Sequence, residues 1–127
     1  MPHLTLEYSA NFETLDVPRC LLELNRALVA SGQFVEVDIK SRALRFDEHA
    51  VGVVAEPRAF IHVKLSLLSG RPVDVKRQIS ATLLECLRRL CGHENRPHLQ
   101  LCVQILEIER ETYAKATLDP RAPARSG

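Results

Sequence analysis

The sequence lacks any apolar run long enough to cross a bilayer, and its amino terminus lacks the basic and then apolar stretches of a secretory signal. It also lacks an excess of one charge, because 17 Lys and Arg residues against 16 Asp and Glu residues give a formal net charge of +1. A nucleic-acid-binding surface needs basic residues gathered into a stripe, and none is visible. We therefore expect a cytoplasmic protein with neither a membrane nor a nucleic acid as partner.

Common signatures of metal and cofactor binding are missing as well. The cysteines form no CxxC pair and have no histidine at ligand spacing, so we expect buried, reduced thiols at Cys20, Cys86, Cys91 and Cys102. No GxGxxG, GxxxxGK(S/T), GxSxG or HExxH motif occurs, which removes the usual dinucleotide, P-loop, serine hydrolase and zincin signatures. If the chain is an enzyme, we expect it to work without a metal or another cofactor.

What the sequence does contain is a strand, a helix and a strand, in that order and twice over. In the first unit, apolar residues alternate with polar ones over 2–8, which predicts a strand with one buried face. Pro18 is placed to open a helix that ends before Gly32, and a second strand is predicted over 39–46. An aperiodic loop follows at 47–58.

The second unit repeats this order. Its first strand, predicted over 59–67, has the clearest alternation in the chain. A helix follows from Pro72 until Gly92, and the last strand is predicted over about 99–108. The length of 127 residues suits one domain, which we assign to 1–112 with β-α-β units at 2–46 and 59–108 and a tail at 113–127.

These elements predict an α+β fold in which two helices lie on one face of a four-stranded mixed sheet. A crossover helix joins two parallel strands in each unit, and the right-handedness of such crossovers places both helices on the same side. The other sheet face is then left uncovered, with polar and apolar residues together, among them His62, Lys64, Gln100 and Gln104. Copies of the chain in a closed ring would bury that face. The tail would either fray or reach a neighbouring subunit.

Pro2 is the strongest candidate for a catalytic residue. It directly follows Met1, and an initiator methionine before so small a residue is usually excised, which would leave proline as a free secondary amine. An α-amino group titrates near 8, whereas a general base works best when its pKa lies near the working pH. Burial or a nearby cation would lower the pKa, and one guanidinium roughly 6 Å away would lower it by about two units.

Four short motifs connect this proline to a known family. They are Pro-His-x-x-x-Glu-x-Ser-x-Asn from Pro2 to Asn11, Ile-Lys-Ser-Arg from Ile39 to Arg42, Ala-Phe-Ile-His from Ala59 to His62, and Gly-Arg at Gly70 and Arg71 with Arg77 and Gln78 beyond. No single motif is specific, but their order and spacing are. From Pro2 to about Glu111 the chain resembles the tautomerase superfamily, and within it the 5-carboxymethyl-2-hydroxymuconate isomerase family.

This resemblance implies a homotrimer of β-α-β repeats with the amino-terminal proline in a pocket at a subunit boundary. It implies a cofactor-free isomerase in which the Pro2 nitrogen takes a proton from the 2-hydroxy group of a conjugated dienoic acid and returns one to a carbon further along. The substrate class is then a small unsaturated polycarboxylate from the breakdown of aromatic acids, namely homoprotocatechuate catabolism.

The resemblance also points to residues that would bind this substrate. Arg71 matches the Gly-Arg position and is the first candidate for a carboxylate clamp, since a guanidinium matches a carboxylate bidentately. Lys40 stands where relatives usually have arginine, and Arg42, two residues along the same strand, would supply the missing fork. His62 is retained as a fourth binding candidate.

Each of these residues also has an ordinary structural interpretation. Arg71 would be a solvated surface residue, Lys40 and Arg42 edge charges, and His62 a hydrogen-bonded interior histidine. Two other functions stay open from the sequence: another proline-dependent reaction, such as hydration or dehalogenation with Pro2 as an acid, and a non-catalytic trimer that binds ligands.

Overall fold

The computed structural model describes residues 1–93 and 95–121, and its strands and long helices follow the predicted order. They are β1 (His3–Ser9), α1 (Val17–Ala30), β2 (Lys40–Phe46), β3 (Arg58–Leu68), α2 (Val73–Cys91) and β4 (His98–Ile108). Every predicted strand boundary lies within one residue of the observed one. Two short 3-10 turns, Glu36–Asp38 and Arg110–Thr112, were not predicted. No helix in the described ranges is long and apolar enough to span a membrane.

The four strands form one mixed sheet in the order β2-β1-β3-β4. Within each β-α-β unit the two strands are parallel, as predicted, and the units join through the antiparallel pair β1 and β3. The two units therefore run in opposite directions across the sheet. Because His3 pairs with Lys40 and Ser66, and Leu68 with Ile108, the starts of β1 and β2 and the ends of β3 and β4 share one edge. We call this edge the amino-terminal end of the sheet.

Both helices pack on one face of the sheet and enclose the hydrophobic core. The core-facing strand residues alternate with outward-facing ones, as the sequence predicted, and those in the central strands are fully buried: Leu4, Leu6, Ala59, Ile61, Val63 and Leu65. The buried helix positions are Cys20, Leu24 and Leu28 in α1 and Ile79, Leu83, Cys86, Leu87 and Cys91 in α2. Cysteines thus occupy core positions beside the predicted leucine stripes.

The two helices end for different physical reasons, although the sequence places a glycine after each. Gly32 adopts a φ of 76°, a left-handed conformation that side chains disfavour. Gly92 has an ordinary φ of −80°, but a Cβ there would lie 2.7 Å from the Arg88 carbonyl oxygen. Glycine is therefore required at the end of α2 because a side chain would clash there, and not because of the backbone conformation.

The opposite face of the sheet is open in the single subunit, as predicted. Glu7 lies near its centre and bridges two neighbours on β3, Lys64 at 3.3 Å and His62 at 3.9 Å. Leu44 and Leu106 are apolar but exposed on the same face. Cys102 also lies on this face and is exposed, so the expectation of four buried cysteines is wrong at this position.

Candidate active site

Pro2 lies immediately before β1, at the amino-terminal end of the sheet, and its side chain is fully buried. Its carbonyl oxygen accepts a hydrogen bond from the Lys40 backbone nitrogen at 3.2 Å, which extends the β1–β2 pairing by one residue. With Met1 in place, the Pro2 nitrogen is an amide and the terminal amine belongs to Met1. Removal of Met1 would therefore move the terminal amine by one residue, from Met1 to Pro2.

The surroundings of this amine lower its pKa. Burial has the largest effect, followed by the neighbouring Lys40 and then Lys115, whereas Asp38 acts in the opposite direction. Together they lower the pKa of the Met1 amine from 8.0 to about 6. At pH 7 about nine-tenths of such an amine is unprotonated, compared with about a tenth at a pKa of 8. An amine in this place is able to act as a base at neutral pH.

Lys115 reaches this place from the segment after β4. Its Nζ donates to Asp38 Oδ1 at 2.8 Å, and Asp38 belongs to the 3-10 turn that leads into β2. The bond holds the Asp38 carboxylate in its charged form and lowers the pKa of that carboxyl. The amino-terminal end thus carries two lysines and one aspartate from two separate stretches of the chain, 38–40 and the segment after β4.

A second group of side chains surrounds His3, the residue after Pro2. Arg42 Nη2 donates to His3 Nδ1 at 2.8 Å, and His3 Nε2 lies 3.0 Å from Tyr113 Oη. A guanidinium has only donors, so Nδ1 must be the unprotonated nitrogen, and the proton on Nε2 is donated to Tyr113. Burial and then Arg42 lower the pKa of His3, which favours this neutral form. Arg42 and Lys40 share a face, as predicted, but the Arg42 side chain is engaged with His3.

Arg71 also lies near the amino-terminal end, directly after the turn that follows β3. Its Nη2 donates to the Gln33 carbonyl oxygen at 3.3 Å, and its guanidinium lies 4.8 Å from the centroid of the Phe34 ring. Gln33 and Phe34 belong to the loop before β2, so Arg71 is held beside the stretch that leads to Lys40. This placement is compatible with a carboxylate clamp.

His62 is the predicted binding residue that the subunit does not bring to Pro2. It pairs in register with Glu7, five residues from Pro2 along β1, which is on the order of 16 Å. Its Nε2 donates to Gln104 Oε1 at 3.0 Å on the open face of the sheet. Within one subunit His62 therefore belongs to the centre of that face and not to the amino-terminal site.

A cavity of about 300 Å³ lies elsewhere, near the end of α2 and the start of β4. It is lined by Arg88, Cys91, Gly92, Arg96, Leu99 and Leu101. The start of β4 pairs with the start of β3, so this cavity is at the opposite end of the sheet from Pro2. In residues 1–93 and 95–121, no group of three or more His, Cys, Asp or Glu side chains is arranged to hold a metal ion.

The sequence interpretation missed Tyr113, Lys115 and Asp38 as neighbours of the site. Their contacts join residues 110 and 77 positions apart, so no local period encodes them. The one available signal was an aromatic residue and a lysine in a tail that otherwise has no core-forming pattern.

Comparisons with known proteins agree with this fold. The family model for 5-carboxymethyl-2-hydroxymuconate isomerase matches residues 2–121. A 5-carboxymethyl-2-hydroxymuconate Delta-isomerase from Escherichia coli is 29% identical over 89 residues, which are 69% of this chain and 71% of that protein.

Solved structures of other proteins share this fold. A crystal structure of a 5-carboxymethyl-2-hydroxymuconate isomerase from Deinococcus radiodurans R1 is 33% identical with a TM-score of 0.83, covering 92% of this chain and 90% of the other. A fused 4-OT symmetric trimer shares the fold at 18% identity with a TM-score of 0.68, covering 90% and 91%. Since the family model spans nearly the whole described chain, the protein belongs to the 5-carboxymethyl-2-hydroxymuconate isomerase family of the tautomerase superfamily and is an isomerase.

Proposed function

We propose that Pro2, after removal of Met1, is the general base and acid of a cofactor-free tautomerisation. The substrate would be an unsaturated 2-hydroxy polycarboxylate, with 5-carboxymethyl-2-hydroxymuconate from homoprotocatechuate catabolism as the first candidate. The observation that carries the proposal is the amine position before β1, where burial and Lys40 lower the pKa of the Met1 amine to about 6. We expect the same surroundings to lower the pKa of the Pro2 amine once Met1 is removed. The names of the relatives from Escherichia coli and Deinococcus radiodurans R1 support the choice of substrate.

The proposed reaction needs one proton carrier. The unprotonated Pro2 nitrogen takes the proton of the 2-hydroxy group and becomes a secondary ammonium, while the substrate becomes a dienolate. The ammonium then returns a proton to a carbon further along the conjugated system, which leaves a conjugated ketone and the original amine. Atoms and charge balance without a redox step, and a lowered pKa would allow the Pro2 nitrogen both to accept and to return the proton at neutral pH.

Cations near Pro2 would bind the carboxylates of this substrate and stabilise the negative charge of the dienolate. Lys40 is the nearest candidate because it already acts on the terminal amine. Arg71 is held by Gln33 and Phe34 at the same end of the sheet and would supply the bidentate contact that a lysine cannot make. Arg42 would act through His3, its hydrogen-bond partner, unless substrate displaces that contact.

The proposed assembly is a homotrimer in which the open sheet face is buried between copies. Exposed Leu44 and Leu106 on that face, and the trimeric 4-OT structures that share the fold, support it. His62 would reach a substrate only if such an assembly brings the open face of one subunit to Pro2 of another. The alternative is a hydratase or dehalogenase, in which a protonated Pro2 acts as an acid. Surroundings that lower the pKa of the Met1 amine would also disfavour a protonated Pro2.

The test combines mass spectrometry with an activity assay. We expect the intact mass to show loss of Met1, 3-bromopropiolate to label the Pro2 nitrogen, and the unlabelled protein to ketonise 2-hydroxymuconate-type dienols. A matched control carries a removable leader that acylates Pro2, and it should regain activity when a protease removes the leader. Labelling only at cysteines, or equal activity of the acylated and the free protein, would overturn the proposal.

A further inference from the structure

The segment that follows β4 returns to the amino-terminal end of the sheet and makes two contacts there. We call residues 113–121 the return segment. Tyr113 Oη lies 3.0 Å from His3 Nε2, and Lys115 Nζ lies 2.8 Å from Asp38 Oδ1. Tyr113 is half-buried, and the two contacts attach the segment to β1 and to the turn before β2.

We propose that the return segment is a wall of the amino-terminal site, in which Tyr113 and Lys115 act as positioning residues for the catalytic amine. This inference rests on the proposed function of that amine. It adds two residues to the site, because neither belongs to the motifs around Pro2, Lys40, His62 or Arg71 that define the resemblance.

The contact of Tyr113 has a direct geometric consequence for β1. Arg42 makes Nδ1 of His3 an acceptor, so Nε2 is a donor and the Tyr113 oxygen must accept. The His3 ring is thereby held on both nitrogens, and His3 is the residue covalently attached to Pro2. An accepting hydroxyl still carries its own proton, so Tyr113 is also able to donate a hydrogen bond toward the site.

Lys115 acts through charge. The groups that face the amine are Lys40 on β2, Lys115 on the return segment, Asp38 on the turn before β2 and His3 on β1 itself. Asp38 holds Lys115 in place by its hydrogen bond and partly offsets its charge. Removal of the lysine charge would leave the Asp38 carboxylate uncompensated, and both changes favour the protonated amine.

The experiment follows the reaction of the amine with phenyl isocyanate as a function of pH. This reagent is neutral, so the loss of a lysine charge does not change its attraction to the protein. The variants are Lys115→Gln, Lys115→Arg and Tyr113→Phe. The matched control is Arg121→Gln, which alters a cation of the same segment whose contact is with Asp119. Peptide mapping assigns the modified nitrogen, and circular dichroism confirms that each variant is folded.

We expect Lys115→Gln to slow labelling roughly threefold at pH 6 and to leave the rate at pH 9 unchanged, because only the protonated fraction differs. Lys115→Arg and Arg121→Gln should be labelled at the wild-type rate. Tyr113→Phe, like Lys115→Gln, should be labelled more slowly than the wild type at pH 6. A Lys115→Gln or Tyr113→Phe profile equal to that of Arg121→Gln overturns the role of that residue. A wild-type amine that labels as an ordinary one, with a pKa near 8, would instead overturn the proposed function.

Discussion

At the scale of single residues, the chemistry that we propose for this site depends on the surroundings of one nitrogen atom. Burial is the largest cause of the lowered amine pKa, and Lys40 is the next. A buried amine retains part of its lowered pKa when one cation is removed, so single substitutions of cations should shift the pH profile without abolishing activity.

For Lys40, we predict that Lys40→Met moves the acid limb of kcat/KM to higher pH, whereas Lys40→Arg leaves it in place. The lysine cation lowers the pKa of the amine, so its removal raises that pKa, and the unprotonated base then forms only at higher pH. Measurement of kcat/KM from pH 5 to pH 9 checks this. An acid limb that is the same in the methionine and arginine variants would contradict it.

For Arg71, we predict a defect in substrate binding. Arg71→Met should raise KM for a polycarboxylate roughly tenfold, since a charge-assisted bidentate contact is lost, and Arg71→Lys should recover part of the loss. Steady-state kinetics provide the measurement, with Arg88→Met at the opposite end of the sheet as the control. Melting temperatures separate this effect from the loss of the contact with Phe34. An unchanged KM in Arg71→Met would show that the arginine has only a structural role.

His3 should make stability depend on pH. Its pKa is lowered in the folded protein, so the unfolded state binds more protons as pH falls below about 6.5, and stability is lost there. Urea unfolding at pH 7 and pH 5 should therefore show a larger drop for the wild type than for His3→Gln, which has no titratable ring. Equal drops in the two proteins would mean that the His3 pKa is not lowered.

At the scale of elements, one buried hydroxyl adds a hydrogen bond to the β1–β3 join between the two β-α-β units. Ser9, at the end of β1, is completely buried, and its Oγ accepts a hydrogen bond from the Phe60 backbone nitrogen at 3.0 Å. Ser9→Ala should cost about 1–3 kcal/mol because a buried donor loses its partner. Chemical denaturation measures the change. Ser80→Ala, which removes an intrahelical contact in α2, should stay within about 0.5 kcal/mol of the wild type.

The elements themselves could be predicted well from the sequence, whereas the contacts between them could not. Alternation of apolar residues located β3 almost to the residue, since its period depends on neighbouring positions alone. The pairing of Arg42 with His3 joins residues 39 positions apart, and no pattern distinguishes it from a free arginine on an edge strand. For the same reason the resemblance alone kept His62 as a binding candidate, and no local pattern predicted its register opposite Glu7.

At the scale of the whole molecule, we expect copies of the chain to associate through the open face of the sheet. Leu106→Arg places a charge on that face, and we expect it to reduce the mass in solution from that of a trimer toward that of a monomer. Light scattering after size-exclusion chromatography is the measurement. Leu22→Arg is the control, because Leu22 is 50% exposed on α1 and lies on the covered side of the sheet. A trimeric Leu106→Arg protein would place the interface elsewhere.

Because the two units run in opposite directions, the far end of the sheet has a counterpart of the amino-terminal end. Pro57 precedes β3 as Pro2 precedes β1, and it lies at the other end of the sheet, after an exposed loop. Its nitrogen is an amide in the intact chain. A circular permutant opened between Glu56 and Pro57 would turn that amide into a free secondary amine while the original terminus became an internal bond. The duplicated architecture thus offers a way to move the proposed reactive nitrogen to the other end of the sheet without designing a new fold.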